Sequence, residues 1–361
     1  MRCSVRTAVW TTGLLLLLVV TVVVSAGIGP VDVPPGTVGA VILDGIKIPS
    51  VSIDVHRPDI ASKLTIEYIS VLSRSVPGTS KTIVLGVRIP RILLGATVGF
   101  ALSAAGVVMQ GFFRNPMADP SIIGVSSGAA AGAVAVLTLP FGLPFGLGLH
   151  TAAFAGGLIT AFGIYRLGSK GGRTPVATLL LAGVAVQIFL SAVISYMLVE
   201  SKRGLRSAMY WLMGHLHNAT WGEVKILSLG VALLFLILLL YRQDLNVLLM
   251  GETEAESLGI DVEHTKKVLL AVSSLVTALA VSVSGVIGFV GLIIPHIMRL
   301  LVGPDHRILL PTSALAGASF LVATDTVARS GAAEVPVGIV TAAVGAPFFV
   351  YLLRTRDVME L

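Results

Sequence analysis

Long uncharged and apolar stretches dominate the hydrophobic pattern of this 361-residue chain. They contain no Asp, Glu, Lys or Arg and run over 7–31, 92–113, 120–165, 174–199, 226–241, 268–298, 308–324 and 335–353. A helix needs about 20 apolar residues to cross the hydrocarbon core of a bilayer, with a range of about 17–25. Each stretch therefore predicts at least one membrane-spanning helix.

Two of these stretches each predict a pair of helices. The stretch 120–165 is too long for one crossing, and the turn-rich segment Leu139–Gly148 interrupts it. The stretch 268–298 divides in the same way at the glycine-rich segment Ser284–Gly291. The pattern as a whole predicts an all-α integral membrane protein with about ten transmembrane helices, in a single domain over residues 1–361.

The first apolar stretch has two interpretations. Arg2 and Arg6 precede it and the small residues Ser25-Ala26-Gly27 follow, as in a cleaved signal peptide. The apolar run is longer than the 7–15 residues of a signal-peptide core, which favours a retained first helix. Cys3 is the single cysteine, so an intramolecular disulfide is excluded, and a neutral thiol is favoured over a lipid anchor.

Composition agrees with a membrane protein and argues against a soluble one. The chain is 55% hydrophobic and 12% charged, and its mean hydropathy is +0.94, whereas a soluble domain carries about 25% charged residues. The net charge is +6, but the basic residues lie mainly in short gaps between apolar stretches and form no stripe. We therefore expect the lipid bilayer as the surroundings and no nucleic-acid partner.

The distribution of Lys and Arg predicts that both chain termini are cytoplasmic. The cytoplasmic segments then hold 13 of the 25 basic residues, and eight of the other 12 lie near outer helix ends. Lys202, Arg203 and Arg206 oppose this orientation. It makes residues 32–87 an extended external loop, with a short helix expected near Ile60–Leu72, and residues 242–267 a cytoplasmic loop.

Motifs for catalysis are weak or absent. The chain has no G-x-x-x-x-G-K-[ST] phosphate loop, so ATP hydrolysis would need another polypeptide. Ser126 lies in a G-x-S-x-G match, but its flanking residues predict the start of a membrane helix rather than a strand-to-helix turn. His215 and His217 would point apart on a helix, and His296 is expected to pack within a membrane segment. We predict no catalytic residues, no metal site and no bound cofactor.

Three polar clusters stand out against this apolar background. Arg88-Ile-Pro-Arg91 precedes the second predicted helix, and Asp325 and Arg329 are spaced to pair on one helix face near the outer end of a later one. Residues 114–120 (RNPMADP) form a proline-bounded cytoplasmic corner. Residues 249–260 (LMGETEAESLGI) predict a short amphipathic helix between two glycines. Interfacial snorkelling explains the first cluster as well as a docking rim does. A solvated loop explains the third cluster, and a helix that engages a cytosolic protein is its functional alternative.

At these residues the chain resembles the FecCD-type permeases, which import ferric siderophores, haem and cobalamin as part of ABC transporters. The resemblance extends from about residue 88 to residue 354 and rests on several long motifs in the same order. These motifs are RIPRILLGATVGFALSAAGVVMQ, RNPMADPSIIGVSSGA, LLLAGVA, MYWLMG, LLMGETEAESLGI, GFVGLIIPHIMRLLVGPDHRILLP and EVPVGIVTAAVGAPFFVYLL. The loop over 32–91 is longer than usual for the family, so nothing is carried over to it.

The resemblance implies a type II ABC importer transmembrane subunit in the cytoplasmic membrane. Its partners would be a second copy of the chain, two ATP-binding subunits that use the ATP, and an extracytoplasmic substrate-binding protein. The implied docking residues for the binding protein are Arg88, Arg91 and Arg329. The implied cytoplasmic gate consists of Asn115, Met117, Val176 and Ala177. The implied ATPase-coupling residues are Gly251, Glu252, Glu254, Ala255, Leu258 and Gly259.

Alternating access between inward-open and outward-open states is the mechanism that this resemblance implies. The binding protein would supply most of the selectivity, so we expect no tight substrate site within the chain. Two other functions stay open: an intramembrane serine hydrolase that uses Ser126 with a histidine such as His296 as base, and a stand-alone secondary carrier. The motifs do not distinguish cobalamin from a ferric siderophore or haem.

Overall fold

The computed structural model describes residues 2–45, 47–54, 63–70, 78–139, 148–169, 174–201, 204–331 and 333–355. These parts of the chain are mostly helical. The helices are α1 (Arg2–Gly27), α2 (Pro35–Gly45), α3 (Gly78–Lys81), α4 (Ile89–Phe113), α5 (Val125–Thr138), α6 (Leu149–Gly168), α7 (Val176–Glu200), α8 (Leu205–Leu212), α9 (Trp221–Leu240), α10 (Arg242–Leu248), α11 (Glu252–Ser257), α12 (Val262–Ser284), α13 (Val290–Val302), α14 (His306–Ala328) and α15 (Val337–Thr355). A π-helical segment, Thr82–Arg88, joins α3 to α4, and a 3₁₀ helix, Pro120–Ile123, precedes α5.

A helix occurs at each position where the hydrophobic pattern predicts a membrane helix. The matching helices are α1, α4, α5, α6, α7, α9, α12, α13, α14 and α15. Within the described ranges, six helical segments are long and apolar enough to cross a membrane. They are Val5–Gly27, Gly78–Phe112, Val176–Glu200, Trp221–Leu240, Val262–Ser284 and His306–Ala328. The predominantly helical, membrane-embedded fold is therefore confirmed.

The long loop after α1 contains the exception to the helical fold. Strands β1 (Lys47–Asp54) and β2 (Lys63–Ser70) pair antiparallel, with Lys47 opposite Ser70 and Asp54 opposite Lys63. The helix expected near Ile60–Leu72 was therefore wrong over the part of it that the structure describes. Residues 64–68 (LTIEY) alternate apolar and polar side chains, and this period of two is typical of a strand.

Helix α4 forms the centre of the bundle, where it packs against α14, α12, α13 and α9. Glycines allow the closest approaches. A Cβ at Gly99 would lie 2.2 Å from the Gly317 carbonyl oxygen, and one at Gly106 would lie 1.9 Å from that of Gly291. Small residues are the usual means by which membrane helices bring their backbones together. The two contacts hold α14 and α13 directly against α4.

The predicted division of 268–298 is confirmed by a break between α12 and α13. Gly285 and Phe289 adopt left-handed backbone angles, with φ of 67° and 69°. The His215 amide donates to the Ser284 carbonyl oxygen at 2.7 Å. Non-helical backbone at membrane depth is tolerated where protein groups satisfy it. The other predicted division, within 139–148, lies mostly outside the described residues.

Candidate functional site

The first cluster, the arginine corner, joins the start of α4 to the end of α14. It consists of Arg88, Arg91, Asp325, Arg329 and Glu334. The Arg91 guanidinium donates to both carboxylate oxygens of Asp325, from Nη2 to Oδ1 at 2.8 Å and from Nε to Oδ2 at 3.0 Å. Arg91 Nη1 also pairs with Glu334 Oε1 at 2.5 Å, and Arg329 Nε lies 3.4 Å from Asp325 Oδ2. One buried carboxylate thus serves two arginines.

The C-terminal end of α1 covers the other side of this corner. Arg88 Nη1 donates to the carbonyl oxygens of Ala26 and Gly27, at 2.7 and 3.0 Å. Arg329 donates to the Ile28 carbonyl at 2.5 Å and to the hydroxyl of Ser25 at 2.6 Å. The last carbonyls of a helix have no partner inside the helix and carry partial negative charge. The two guanidiniums therefore cap α1.

The structure brings Arg88, Arg91 and Arg329 together, but not as an open rim. Arg88 is 5% exposed and Arg329 is 4% exposed, because the end of α1 lies over them. The expected pairing of Asp325 with Arg329 on one helix face is present. Sequence reasoning missed the burial because α1 is more than sixty residues away from the arginines, and no local pattern signals that contact.

A groove lined by histidines continues from the arginine corner. The groove has two adjoining parts, one of about 360 Å³ beside Arg91 and one of about 530 Å³ beside His150. Its polar lining residues include His150, His215, His217, Glu223, Arg206 and Tyr210. The expectation that His215 and His217 point apart was wrong: their ring centroids are 4.2 Å apart. The segment is a turn rather than a helix, with Gly214 at a φ of 71°.

Two histidines of the groove have distinct surroundings. His150 Nε2 lies 3.1 Å from Glu223 Oε1, and its Nδ1 lies 2.8 Å from the Ser282 carbonyl oxygen. Burial lowers the pKa of His215 to about 4, and the neighbouring histidines His217 and His150 act in the same direction. His215 is therefore neutral near pH 7. No group of three or more His, Cys, Asp or Glu side chains among the described residues is arranged to hold a metal.

The proline-bounded corner after α4 is a rigid turn. Asn115 Oδ1 accepts from the Met117 amide at 2.9 Å, and Asp119 Oδ1 accepts from the Ser121 amide at 2.8 Å. Burial raises the pKa of Asp119. Gln187 of α7 donates to the carbonyl oxygens of Ser121 and Ile122 at 3.0 Å each. These bonds connect the corner to α7.

The predicted gate residues lie at the two ends of this connection. Asn115 and Met117 belong to the corner, and Val176 and Ala177 form the first turn of α7. A Cβ on Gly183 would lie 2.3 Å from the Ile122 carbonyl oxygen, so α7 meets the corner about 10 Å along its axis from Val176. Hydrogen bonds from Gln187 and the close approach at Gly183 thus connect the corner to the helix that carries Val176 and Ala177.

The second charged cluster lies in residues 242–267, which we call the coupling loop after the role that the family resemblance implies. The amphipathic helix predicted between Gly251 and Gly259 is confirmed as α11, Glu252–Ser257. Ala255 is buried, whereas Leu258 is 64% exposed. Gly251 and Gly259 adopt positive φ, at 143° and 84°, which favours glycine at both ends. The segment therefore turns Ala255 inward and exposes Leu258, the residue directly after α11.

Polar contacts that sequence reasoning missed fasten this loop to the bundle. Lys266, 4% exposed, binds Glu252 at 2.7 Å and Glu263 at 3.5 Å. Asn246 of α10 donates to Asp305 and accepts from the His306 amide, each at 2.8 Å. An i, i+3 spacing suggests the pair of Lys266 and Glu263, but the longer-range contacts have no local signal.

The two charged clusters lie at opposite ends of the antiparallel pair of α4 and α14. Arg91 at the start of α4 meets Asp325 at the end of α14. At the other end, a Cβ on Gly111 would lie 2.8 Å from His306 Nε2. The 20 residues between Arg91 and Gly111 correspond to about 30 Å of helix. That distance matches the thickness of the hydrocarbon core.

The surroundings of Ser126 do not support a hydrolase. The residues before it form a 3₁₀ helix, Pro120–Ile123, where a nucleophile elbow needs a strand. Ser126 lies in the first turn of α5, and His296 lies in α13.

Comparison with known proteins decides the family. The chain matches the FecCD transport family over residues 15–355. It belongs to that family. It is therefore a membrane-embedded permease subunit of an ABC transporter, and the ATPase is carried by a separate subunit. The family match includes the second half of α1 and the long loop after it, which lie outside the motifs that the sequence itself offered.

Relatives within the family cover the chain closely. The permease protein BtuC of the cobalamin import system of Halobacterium salinarum is 53% identical over 369 residues, covering 100% of both chains. The hemin transport system permease protein HmuU of Yersinia pestis is 40% identical over 280 residues, which are 76% of this chain and 84% of the relative. A solved inward-facing metal-chelate type ABC transporter matches with a TM-score of 0.76 and 32% identity, covering 96% of this chain and 99% of that chain.

Proposed function

We propose that the chain imports a metal chelate by alternating access, as one half of a homodimer with ten crossings per subunit and cytoplasmic termini. The observation that carries this proposal is the separation of the arginine corner and the coupling loop by about 30 Å of antiparallel helix. One charged cluster at each membrane surface suits a subunit that receives cargo on one side and ATPase motion on the other.

Cobalamin is the cargo to test first. A relative that matches the chain over its whole length is a cobalamin permease, while a haem permease matches over 76% of this chain at lower identity. Haem is therefore the second cargo, and a ferric siderophore the third. Selectivity would come mainly from the binding protein, so the isolated chain is expected to bind no chelate tightly.

Docking of the binding protein would begin at Arg91. Its partner Glu334 has a side chain that is 45% exposed, so an incoming carboxylate can replace it without opening the bundle. Arg88 and Arg329 would join only when the end of α1 moves away from them. A charge-assisted pair between Arg91 and a glutamate of the binding protein is the contact that this geometry supports.

Retention of α1 in the mature protein is part of the proposal. Ser25 and Ala26, where a signal peptide would end, are 1% and 0% exposed. Ser25 also binds Arg329 through its side chain. Cleavage at this point would remove the carbonyl groups of Ala26 and Gly27, which accept hydrogen bonds from Arg88, and the Ser25 groups that bind Arg329, so α1 is expected to persist.

Coupling and gating would use the other end of the molecule. Leu258 and Met250 are 64% and 68% exposed on the coupling loop, and they would insert into a cleft of the ATPase. Movement of the coupling loop would reach Asn115 and Met117 through the end of α4, which α10 contacts. Val176 and Ala177 would follow through α7.

Helix α7 would form the homodimer contact. It is apolar along most of its length, yet Leu179 and Gly183 are its only buried residues. Tyr196, near its outer end, is 68% exposed. Because Cys3 is the single cysteine, a Cys3→Ser background carrying Tyr196→Cys should form a covalent dimer with a short bifunctional cross-linker. Leu233→Cys on α9 is the matched control, and dimers formed equally by both would argue against this contact.

Transport is tested in proteoliposomes that contain the chain, its ATPase and its binding protein. We expect ATP-dependent uptake of radiolabelled cobalamin. Glu334→Gln, which frees one edge of Arg91, should strengthen docking, and Arg91→Glu should abolish it. Lys225→Glu, an exposed charge reversal outside the arginine corner, is the control. Uptake without the ATPase would favour a secondary carrier, and no uptake of any chelate by the assembled complex would contradict the proposal.

A further inference from the structure

A groove on the outer surface of the bundle lies between α6 and α12. It encloses about 370 Å³ and is almost entirely apolar. The residues that line it are Leu158, Ala161, Phe162, Tyr165, Lys267, Leu270, Ala271, Ser274 and Leu275. It extends along α12 for eight residues, or about 12 Å. Apart from Lys267, the last residue of the coupling loop, its lining residues belong neither to the two charged clusters nor to α7.

A lysine without a carboxylate partner marks one end of the groove. Lys266 is buried and binds Glu252 and Glu263, but the next residue, Lys267, is exposed and forms no ion pair with any residue that the structure describes. Tyr165 lies at the same end, and the exposed Arg166 follows it. The positive end is the one that the charge distribution predicts to be cytoplasmic.

A buried hydroxyl in the groove is also unsatisfied. Ser274 is 5% exposed, and its Oγ has no hydrogen-bond partner among the described residues. The adjacent Ser273 instead donates to the Leu269 carbonyl oxygen at 2.6 Å. A serine in a membrane helix ordinarily satisfies itself in that way. Ser274 lies seven residues after Lys267, two turns further along α12, and lines the groove.

We propose that this groove binds an anionic phospholipid. One acyl chain fills the apolar channel along α6 and α12, the Lys267 ammonium pairs with the phosphate, and the Ser274 hydroxyl donates to an oxygen of the glycerol linkage. The long stem of Lys267 lets its charged end reach the interface. Basic pockets between membrane helices on the cytoplasmic side are suited to acidic headgroups. This site does not depend on which chelate is transported.

The groove's shape and charge distinguish this occupant from others. A zwitterionic phospholipid would also fill the apolar channel and offer a phosphate, but its own quaternary ammonium offsets that charge and weakens the attraction to Lys267. A second copy of the chain would need a complementary carboxylate on an apolar ridge, and the exposed side chains of α7 that suit a dimer lie on a different helix. Phosphate together with an acyl chain matches both ends of the site.

Native mass spectrometry of the purified full chain tests the proposal. The probes are palmitoyl-oleoyl phosphatidylglycerol and palmitoyl-oleoyl phosphatidylcholine at equal concentration. One lysine near a membrane surface contributes enough to make the preference for the anionic lipid about fivefold. Lys267→Gln should abolish that preference, and Ser274→Ala should weaken retention of both lipids. Ala271→Phe, at an exposed position in the groove, should displace both.

Three outcomes would overturn the assignment. They are equal retention of the two lipids by the unaltered chain, an unchanged preference in Lys267→Gln, and conversion of dimers to monomers by Ala271→Phe without loss of lipid. Arg354→Gln, which removes an exposed charge at the same predicted side but outside the groove, is the matched control and should behave as the unaltered chain. Because Lys267 is exposed, Lys267→Gln is expected to fold normally.

Discussion

The arginine corner and the coupling loop are both charged, but they hold their charges differently. In the corner, Arg88, Asp325 and Arg329 are each 5% exposed or less and bind one another or the end of α1. In the coupling loop, Leu258 and Met250 are more than 60% exposed, and one buried ion, Lys266, fastens the loop. The corner therefore depends on internal pairing, whereas the loop presents an open surface.

This difference predicts where mutations act. A buried charge that loses its partner costs about 3–5 kcal/mol, whereas an exposed side chain contributes within about 0.5 kcal/mol. Changes in the corner should therefore appear as lost stability before they appear as lost transport. Changes on the exposed face of the coupling loop should abolish coupling in a fully folded protein.

Asp325→Asn should have the largest effect. It removes the carboxylate that Arg91 and Arg329 share and leaves two buried guanidiniums undercompensated, so the free energy of unfolding should fall by about 3–5 kcal/mol. Thermal unfolding in detergent measures it. Asp44→Asn, whose partner Lys81 has a 49% exposed side chain, is the control and should cost at most about 1 kcal/mol. Equal losses in the two variants would show that the corner is not energetically special.

Gly29→Ala should have the next largest effect. Its Cβ would lie 2.9 Å from Arg88 Nη2 and 3.2 Å from Arg329 Nη1, and neither guanidinium can move without breaking its bonds to α1. Crowding of this kind costs about 1–3 kcal/mol. Gly39→Ala, where a Cβ meets nothing within 4 Å, should be neutral or slightly stabilising in α2. If both variants unfold at the same temperature, the end of α1 is not fixed over the arginines.

The helices of this fold could be predicted from the sequence because bilayer thickness imposes their length and apolarity. The ten predicted positions all contain helices, and the break at Ser284–Gly291 follows from its glycines. The amphipathic α11 is likewise visible locally, from Gly251 and Gly259. In each case the signal lies within about 25 residues and needs no knowledge of packing.

The functional surroundings could not be predicted in the same way because they are made by distant contacts. In a sequence, three spaced arginines look the same whether the folded protein exposes or covers them. Here Arg329 is covered because Ser25 and Ile28, at the end of α1, lie against it. The rings of His215 and His217 lie close together because Gly214 turns the chain at this point. The prediction that they point apart assumed a helix there. Charge identifies a candidate site, but burial determines what it does.

Acid should destabilise the folded protein because of His215, which lines the histidine groove beside the arginine corner. The pKa of His215 is about 4 in the folded protein and about 6.5 in the unfolded chain. As pH falls, the unfolded chain therefore takes up a proton on His215 before the folded protein does. This contribution to stability is complete above pH 6.5 and is lost as pH falls from 6.5 towards 4, by about 1.4 kcal/mol per pH unit. His215→Gln should flatten the pH dependence of thermal unfolding in that window, and an identical slope would contradict the assignment.

Leu258→Asp should have the smallest effect on stability and a complete effect on coupling. Leu258 is 64% exposed, so a charge there should change the free energy of unfolding by less than about 0.5 kcal/mol. In a cleft of the ATPase, however, the same carboxylate would lose its hydration without gaining a partner. Chelate-stimulated ATP hydrolysis by the assembled transporter should therefore disappear, while Arg354→Gln leaves it intact. Normal coupling in Leu258→Asp would mean that the ATPase contacts a different face of the loop, and reduced thermal stability would mean that this face is part of the fold.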